Sequence, residues 1–471
     1  MLLFCATTLL LRASEHQQRR KNKNAPPRVF SFLPNPLGSI LGFATPVEFI
    51  KKSAQKYGPT FTAHILGKEM TFVTHPKDMD SVFGANDDQV SQREVYKFMT
   101  PVFGKGVVYD AKNSQRMMEQ LHFVLSGLKT ERFPHFVQIF EEETDKMIEE
   151  LGDQGETDLF ETLSKLIIFT ASRSLLGEGV RSYLEDKNMA DLYHNIDNGI
   201  SPLSFFFPNV PMPSSFTRNK AVKEVYSIFK SLMAERRKNP DAAAGNQDVL
   251  ELLMQAQYRN GKKVPEAHIC GILLAGLFAG QHTSSITSTW TMVNIIKHQN
   301  VHKRVMAEQS EIMDSLDDTL SYDKVRSMHL LENCMNEALR MYPPLIMVMR
   351  YCKQSVKCGK YVIPEGNIVV VSTSVSGRHP DVFTNPDQYD PDRYDRREHK
   401  KYSHSDLLFG SGRHKCLGEN FARLQISSIC SKLLRAYEFE MAQPLPDVDY
   451  TSLVAGPKQK CIVRYKKRTT F

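Results

Sequence analysis

The sequence lacks the paired cysteines that a disulfide framework or a zinc-binding motif would require. Its eight cysteines are scattered between positions 5 and 461 of the 471 residues, and no two of them form a CxxC pair. Small secreted domains use a much denser and more regular cysteine pattern. This sparse spacing excludes a small disulfide-stabilised fold and predicts a reducing compartment.

Long linkers, blocks of one charge and internal repeats are also missing. The net charge of +7 is small for 471 residues and is spread along the chain, so we expect no nucleic-acid partner. Length alone suggests about three domains of roughly 150 residues. Because no Gly/Ser-rich linker separates such domains, we predict a single large domain over residues 45–471.

The start of the chain has too few apolar residues to cross a membrane. Residues 1–11 are apolar, whereas a spanning helix needs about 20 residues. Residues 12–28 carry six Arg/Lys against one Glu, and a Pro-rich hinge follows. We interpret residues 1–44 as a residual membrane anchor, a cytosolic basic segment and a hinge. A cleaved signal peptide is the alternative, although its basic residues would precede the apolar run.

Hydrophobic periodicity predicts a mainly α fold with small β-sheets. Residues from about 115 to 345 are predicted to be helices. "TFTAHILG" and "MTFVTH" predict a hairpin, and "KYVIPEGNIVVVST" predicts two strands around a turn. The longest predicted helix, from Pro265 to His298, is apolar on most sides and therefore belongs in the core. Its small and hydroxyl residues from Ala279 to Ser285 allow either bending or close helix packing.

Cys416 differs from the other cysteines because glycines surround it in "FGSGRHKCLG", residues 409–418. A thiolate can be a nucleophile, a zinc ligand or an axial ligand of iron. His414 is the one nearby base for a nucleophile, and no second Cys/His cluster offers zinc ligands. Iron ligation needs one cysteine in a loop that aims backbone N–H groups at the sulfur. The glycines predicted to permit this turn are Gly410, Gly412 and Gly418.

This stretch fits the pattern F-x-x-G-x-x-x-C-x-G and resembles the cysteine loop of the haem-thiolate monooxygenases, the cytochromes P450. "NEALR", "PDRY" and "AGQHTSS" resemble three further segments of that family. The resemblance implies a cytochrome P450 fold, with haem b between the long central helix and the loop of its thiolate ligand Cys416. It also implies a buried network of Glu337, Arg340 and Arg393. An ordinary surface salt bridge is the alternative for the first two residues.

Two segments are similar to those of one P450 family, the sterol 14α-demethylases. "GQHTSS" places His282 where most P450s carry an acidic residue, and "YKFMTPVFGKGVVYD", residues 96–110, resembles the substrate-loop signature. The resemblance implies proton delivery by Thr283 and His282, for which a core histidine is the alternative. The implied haem-propionate partners are Tyr96, Tyr109, Arg350 and His414, for which ordinary surface salt bridges are the alternative. The implied sterol-pocket residues are Phe98, Phe103, Tyr109, Phe278, Ala279 and Leu345.

The implied reaction removes the 14α-methyl group of a sterol precursor by three successive oxidations and releases formate. Phe98 stands where plant-like members carry Phe, which favours an obtusifoliol-like sterol over lanosterol unless Phe98 packs inward. The alternatives are a haem-thiolate isomerase, an oxidase of other lipophilic substrates and a non-catalytic haem sensor. Another departure is Met118, which stands where relatives place a cation. Arg116 lies two residues earlier and is the candidate replacement.

The chain lacks a G-x-G-x-x-G turn and a flavin domain, so electrons are expected from NADPH through a separate cytochrome P450 reductase. We expect a monomer on the cytoplasmic face of the endoplasmic reticulum membrane that binds azole inhibitors. The Phe/Pro-rich loop of residues 201–215 is predicted either to contact membrane lipid or to pack in the core. The cations predicted to face the reductase are Arg413, Lys415, Arg423, Lys432 and Arg435, with an ordinary solvated charged face as the alternative.

Overall fold

The computed structural model describes residues 24–29, 45–181, 183, 189–208, 210, 212–239 and 248–471. The predicted anchor at residues 1–11 and most of the basic segment and hinge lie outside these residues. The chain forms two compact units built from separate stretches. The N-terminal unit contains the described residues up to Val95, with Ile346–Pro386 and Glu398–Lys415. The helical unit contains Tyr96–Leu345, Asp387–Arg397 and Cys416–Phe471. The single domain over residues 45–471 stays a prediction.

Helices dominate the described residues, as predicted, and the strands are short. The α-helices in chain order are α1 (Pro46–Tyr57), α2 (Asp80–Phe83), α3 (Arg93–Tyr96), α4 (Thr100–Phe103), α5 (Ser114–Gly127), α6 (Phe133–Leu151), α7 (Leu159–Leu176), α8 (Met189–Asn198), α9 (Pro202–Phe206), α10 (Pro213–Lys238), α11 (Val249–Gln255), α12 (Glu266–Lys297), α13 (Gln299–Ile312), α14 (Tyr322–Arg326), α15 (His329–Met341), α16 (Thr373–Ser376) and α17 (Glu419–Ala436). The strands are β1 (Thr60–Ile65), β2 (Lys68–Val73), β3 (Val90–Ser91), β4 (Gln154–Asp158), β5 (Val348–Cys352), β6 (Val356–Cys358), β7 (Tyr361–Ile363), β8 (Ile368–Val371), β9 (Tyr437–Met441), β10 (Val448–Asp449), β11 (Gly456–Pro457) and β12 (Ile462–Lys467).

The N-terminal unit is built on a five-stranded sheet with the order β1-β2-β8-β5-β3. The predicted hairpin is present, since β1 and β2 are antiparallel with Thr60 opposite Val73. β8 lies parallel to β2, and β5 and β3 continue the sheet antiparallel. β7 pairs with β6 in a separate sheet, so the two strands predicted around the Pro/Gly turn, β7 and β8, belong to different sheets.

The helical unit is organised around α12, which runs from the residue after Pro265 to the residue before His298, as predicted. The helices α7, α15 and α17 contact it. Among the described helices, α12 alone is long and apolar enough to span a membrane, and 67% of its most apolar stretch is buried within the protein. Its hydroxyl groups bond the preceding turn, as when Thr283 Oγ1 donates to the Ala279 carbonyl at 2.8 Å.

The segment 201–215 is not a continuous loop as predicted. Pro202 begins the short helix α9, where the Ser201 N–H donates to Ser204 Oγ at 3.2 Å, and Pro213 begins α10. A proline is well suited to the first turn of a helix, because its missing N–H would have no intrahelical partner there. Pro202 and Pro213 therefore mark the starts of two helices and not a loop.

Candidate active site

The loop that leads to Cys416 needs glycine at two positions. Gly410 and Gly412 have φ values of +73° and +70°, a conformation that other residues rarely adopt. A Cβ on Gly412 would also lie 2.2 Å from the Phe83 carbonyl oxygen. Gly418 does not have the predicted role in the turn, because its φ is −89° and it serves as the N-cap of α17. Cys416 therefore lies two residues before a helix N-terminus, whose N–H groups favour a negative charge.

Cys416 is exposed, and the six other cysteines in the described residues are buried. Burial raises the pKa of these thiols because a thiolate loses its hydration there. The pKa rises to about 11 for Cys270 and Cys352 and to about 12 for Cys334, Cys358 and Cys461. Burial also raises the pKa of Cys430. Among the described cysteines, Cys416 is thus the one suited to present a thiolate.

One side of α12 is left open at its middle. Most of the helix is buried, but Ala279 is exposed and a Cβ added to Gly280 would meet no atom within 4 Å. Thr283 is partly exposed one turn further on. Small side chains on a core helix leave space for a flat molecule to approach the backbone. The predicted proton-delivering residues Thr283 and His282 lie in this stretch.

A row of aromatic side chains connects the substrate loop to α12. The ring of Tyr96 lies 5.2 Å from that of Tyr109, and Tyr109 lies 6.3 Å from Phe103. Phe103 meets Phe278 edge to face at 6.2 Å. Phe278 meets the imidazole of His282 in the same way at 5.6 Å. The structure therefore brings five of the predicted site residues together within the helical unit.

The remaining pocket residues lie at the ends of this row or separately from it. Phe98 is 6.3 Å from Tyr96 and packs edge to face on Phe205 of α9 at 5.9 Å. Leu345 is 45% exposed just after α15. Phe205 was not predicted as a site residue, since it reaches the substrate loop only through the tertiary fold.

His282 does not lie in an ordinary apolar core. Its Nε2 is 3.8 Å from Oδ1 of Asp197 on α8, and within the described residues it has no hydrogen-bond partner. The pKa of His282 is lowered, chiefly because burial disfavours the charged imidazole. The charge of Asp197 acts in the opposite direction, and that of His194 lowers the pKa further. Asp197 is partly exposed and His194 is exposed. Sequence reasoning missed Asp197 because 85 residues separate it from His282.

Two predicted propionate partners belong to the N-terminal unit. Arg350 is buried on β5 and donates to the Met349 carbonyl at 2.9 Å. His414 Nε2 pairs with Asp87 Oδ1 at 2.6 Å, which leaves Nδ1 as its second polar atom. A carboxylate partner on one nitrogen fixes the orientation of the imidazole ring.

Arg116 is engaged within the helical unit. Its guanidinium lies 3.7 Å from the centre of the Tyr258 ring and 3.2 Å from Glu119. Met118 packs against the hydrophobic core. In the structure, Arg116 thus helps to hold α5 against the segment that contains Tyr258.

Glu337, Arg340 and Arg393 form one buried cluster. Arg340 donates Nε–H to Glu337 Oε2 at 2.7 Å and Nη2–H to Oε1 at 2.8 Å. Arg393 donates Nε–H to Oε1 at 2.9 Å. All three side chains are at most 1% exposed, which excludes the surface salt bridge considered for the first two. Both arginines also bond the Gln388 carbonyl.

Three of the five cations predicted to face a reductase have internal partners. Arg423 bonds Glu332 and Asn336 of α15, and Lys432 pairs with Glu141 and Asp145. Arg435 is fully buried and donates to the Leu316 and Asp318 carbonyls. The prediction was wrong for Arg435, because sequence alone does not show that the fold buries this side chain, and for Arg423 and Lys432 it stays a prediction. Arg413 and Lys415 are exposed.

Comparison with known proteins identifies the class to which this fold and site belong. The family model "Cytochrome P450" matches residues 27–463, and the chain belongs to this family of haem-thiolate monooxygenases. A solved cyanobacterial P450 with bound retinoic acid, CYP120A1, superposes with a TM-score of 0.82 at 20% identity, covering 94% of this chain and 99% of that one. The predicted fold and enzyme class are confirmed.

Within that class the similar proteins are sterol demethylases. The chain is 37% identical to the "Sterol 14-demethylase" of Arabidopsis thaliana, over 95% of this chain and 92% of the relative. It is 38% identical to the "Obtusifoliol 14-alpha demethylase" of Triticum aestivum, over 92% of this chain and 96% of the relative. It is 35% identical to the human "Lanosterol 14-alpha demethylase" over 100% and 93%. The predicted relationship to sterol 14α-demethylases is thereby confirmed.

Family membership implies haem with a thiolate ligand, and the residues present fit that group. Cys416 is exposed ahead of a helix N-terminus, and the open side of α12 carries no side chain larger than threonine at Ala279, Gly280 and Thr283. A thiolate and a flat apolar macrocycle are suited to these two features. The individual roles of the site residues remain predictions.

Proposed function

We propose that the chain is a sterol 14α-demethylase that removes the 14α-methyl group of an obtusifoliol-like sterol in three oxidations and releases formate. The observation that carries the proposal is the aromatic row from Tyr96 to His282, which runs from the substrate loop to the middle of α12, next in sequence to Ala279 and Thr283. A row of aromatic rings is suited to contact with a rigid, apolar ring system. The full-length similarity to sterol and obtusifoliol demethylases supports the same substrate class.

In this proposal Cys416 holds the haem iron, and the haem supplies the oxygen chemistry when bound. Tyr96, Tyr109, Arg350 and His414 bind its propionates. The phenols and the imidazole can donate hydrogen bonds, and the guanidinium donates charge-assisted bonds. The sterol packs against Phe98, Phe103, Tyr109, Phe278, Ala279 and Leu345.

His282 and Thr283 deliver protons to the reacting oxygen. Asp197 and His194 support this role, because they extend from His282 to an exposed part of α8. Burial lowers the pKa of His282, so the neutral imidazole is favoured and, once protonated, it gives up its proton readily. Thr283 Oγ1 bonds the Ala279 carbonyl, which holds the hydroxyl on the open side of the helix. A core histidine has no need of such a connection to solvent.

A separate NADPH-dependent P450 reductase supplies electrons in this account. The exposed cations that support it belong to the N-terminal unit: Arg413 and Lys415 before Cys416, and Lys77, Lys400 and Lys401 around a polar cleft. Complementary charge raises association rates of protein partners. Reversal of charge at Lys400 and Lys401 is expected to slow the first electron transfer from the reductase at low salt and to leave sterol affinity unchanged. Equal rates of the first electron transfer in wild type and in the charge-reversal variant would contradict reductase binding at Lys400 and Lys401.

The enzyme works at the endoplasmic reticulum membrane, with the catalytic region on the cytoplasmic side. Apolar side chains exposed between residues 203 and 216 support lipid contact, and Phe216 is 72% exposed. The others are Leu203, Phe207 and Val210. Replacement of Phe207 and Phe216 by Ser is expected to lower co-sedimentation with phospholipid vesicles after removal of residues 1–44. Unchanged co-sedimentation would assign lipid contact to another surface.

A panel of sterols tests the proposed function. Haem-loaded protein is titrated with obtusifoliol, lanosterol and a sterol that already lacks the 14α-methyl group, and each is then incubated with reductase and NADPH. The first two are expected to shift the Soret band and to be demethylated, with obtusifoliol preferred. Bulky azoles should bind below micromolar concentration, about −8 kcal/mol or better. Binding without turnover would favour a haem sensor, and turnover of unrelated lipophilic compounds alone would favour a broad oxidase.

A further inference from the structure

Val108, in the substrate loop, has an unusual backbone conformation. Its φ is +44°, in the left-handed region. A β-branched residue rarely adopts this conformation because its side chain crowds the following carbonyl group. Val108 is buried, so solvent does not stabilise its backbone groups. Such a conformation persists when the surrounding structure holds it in place.

Gln120 of α5 supplies that support from a fully buried position. Its Oε1 accepts a hydrogen bond from the Val108 N–H at 2.6 Å. Its Nε2 donates to the Gly106 carbonyl at 2.9 Å and to the Tyr258 hydroxyl at 3.1 Å. A carboxamide combines an acceptor with two donors, and these three bonds use both functions. The loop between Gly106 and Val108 is therefore held at both ends by one side chain.

Neighbouring groups hold Gln120 and its loop in turn. The Tyr258 hydroxyl is 2.9 Å from His268 Nδ1 on α12, and Arg116 covers the Tyr258 ring. Burial, and then the charge of Arg116, lower the pKa of His268, so this imidazole is held neutral. A Cβ on Gly106 would lie 2.9 Å from His268 Nε2, which shows how closely the loop approaches α12.

Tyr109 follows the strained residue directly and is the second member of the aromatic row that runs from Tyr96 to His282. The backbone angle at Val108 sets the direction in which the chain enters Tyr109. We propose that Gln120 is a positioning residue for the sterol site: it holds Val108 in the left-handed conformation and thereby places Tyr109 between Tyr96 and Phe103. This inference rests on the proposed function, because it assigns the aromatic row to a sterol.

The test compares Gln120→Leu in the wild-type and the Val108→Gly backgrounds. Leucine keeps the approximate volume and removes all three bonds, whereas glycine adopts positive φ without strain. Obtusifoliol affinity, read from the Soret shift, is expected to fall by about 10- to 100-fold in Gln120→Leu. In the Val108→Gly background, Gln120→Leu should lower obtusifoliol affinity by about 5-fold or less. Glycine adopts the positive φ without strain, so the backbone no longer needs the Gln120 hydrogen bonds to hold it. KM for obtusifoliol should rise more than kcat falls.

Two further variants separate positioning from general stability. Gln309 is a fully buried glutamine on α13 that bonds Ser431, so Gln309→Leu is the matched control. It should lower the melting temperature and leave obtusifoliol affinity unchanged. Tyr258→Phe removes one of the Gln120 bonds and keeps the ring under Arg116, so it should fold and lose affinity by only a few-fold.

Hydrogen exchange measured by mass spectrometry on a peptide covering residues 104–110 gives a readout that does not depend on turnover. Exchange should be faster in Gln120→Leu than in wild type and unchanged in Gln309→Leu. The inference is overturned if wild type binds obtusifoliol and Gln120→Leu binds it equally well. It is also overturned if Gln120→Leu lowers obtusifoliol affinity as much in the Val108→Gly background as in wild type. A wild-type protein that binds no sterol would instead contradict the proposed function. Even in that case, hydrogen exchange in Gln120→Leu equal to that in wild type would contradict the proposal that Gln120 holds the backbone of Val108.

Discussion

Arg393 donates its Nε–H to Oε1 of Glu337 at 2.9 Å, and both side chains are completely buried. Arg340 holds both carboxylate oxygens from the other direction. The Glu337 carboxylate thus pairs with two cations. The backbone N–H of Asp390 donates a further hydrogen bond to its Oε1. Because charged groups are costly to bury alone, the cluster is stable only when all members are present.

Arg393→Ala is therefore expected to destabilise the protein by about 3–5 kcal/mol, because it removes a partner from a buried charge. Arg304→Ala is the matched control. Arg304 makes two bonds of similar length to Asp392, next to Arg393 in the chain, but both side chains are well exposed. An exposed pair contributes about 0–1 kcal/mol. Urea unfolding measures the free energy of unfolding of both variants. Similar decreases in the two variants would show that burial does not determine how much the cluster contributes to stability.

Cys416→Ser should abolish thiolate ligation, since a neutral hydroxyl is a far weaker ligand for haem iron. The reduced protein with CO should lose its red-shifted Soret band. Cys352→Ser is the control, because the buried Cys352 thiol has a pKa of about 11 and is not expected to be ionised at neutral pH. If the spectrum of Cys416→Ser is that of wild type, another residue holds the iron.

His282→Ala is expected to keep obtusifoliol affinity while NADPH consumption exceeds product formation, because protons no longer reach the reacting oxygen in time. Asp197→Asn should act in the same direction with a smaller effect, since it removes the group that raises the pKa of His282. The ratio of NADPH consumed to sterol demethylated measures both.

His302→Ala is a suitable control for these variants. His302 is another partly buried histidine whose pKa is lowered by burial, and it lies on α13, away from the aromatic row. Its replacement should leave the ratio unchanged. Tight coupling in His282→Ala would mean that His282 is a packing residue after all.

Phe98→Leu is expected to relax the preference for obtusifoliol over lanosterol. Lanosterol has two methyl groups at C4 and obtusifoliol has one, and the Phe98 ring, held against Phe205, should crowd the second. One methyl in an apolar pocket is worth about 1–3 kcal/mol, so wild type should prefer obtusifoliol by roughly 10- to 200-fold. The ratio of kcat/KM values for the two sterols decides, and an identical ratio in Phe98→Leu would place Phe98 outside the sterol site.

Local patterns predicted the parts of the structure that depend on local physics. The apolar run from Pro265 to His298 became α12 with those two residues as its caps, and the alternation in "TFTAHILG" and "MTFVTH" became the β1–β2 hairpin. Glu337 and Arg340 are one helical turn apart, so their pairing follows from helix geometry. Resemblance to a family was needed to connect them with Arg393.

Long-range partners could not be read from the sequence. Asp197 reaches His282 only because α8 lies near α12 in the folded helical unit. Arg435 was expected at the surface, yet the fold buries it against main-chain carbonyls. Gln120 carries no motif, and its role depends on the left-handed backbone of Val108, which no residue preference would suggest. In each case the decisive neighbour is distant in sequence or the decisive feature is a backbone angle.

The most direct test of sterol 14α-demethylation is the fate of the 14α-methyl carbon. Obtusifoliol labelled with ¹³C at that methyl group is incubated with the haem-loaded protein, P450 reductase and NADPH, and formate and sterol are quantified by mass spectrometry. We predict labelled formate in a 1:1 ratio with a sterol that has lost the label and gained a C14–C15 double bond. Obtusifoliol recovered with its labelled methyl group intact, from protein whose reduced CO spectrum shows a thiolate-ligated haem, would contradict the account.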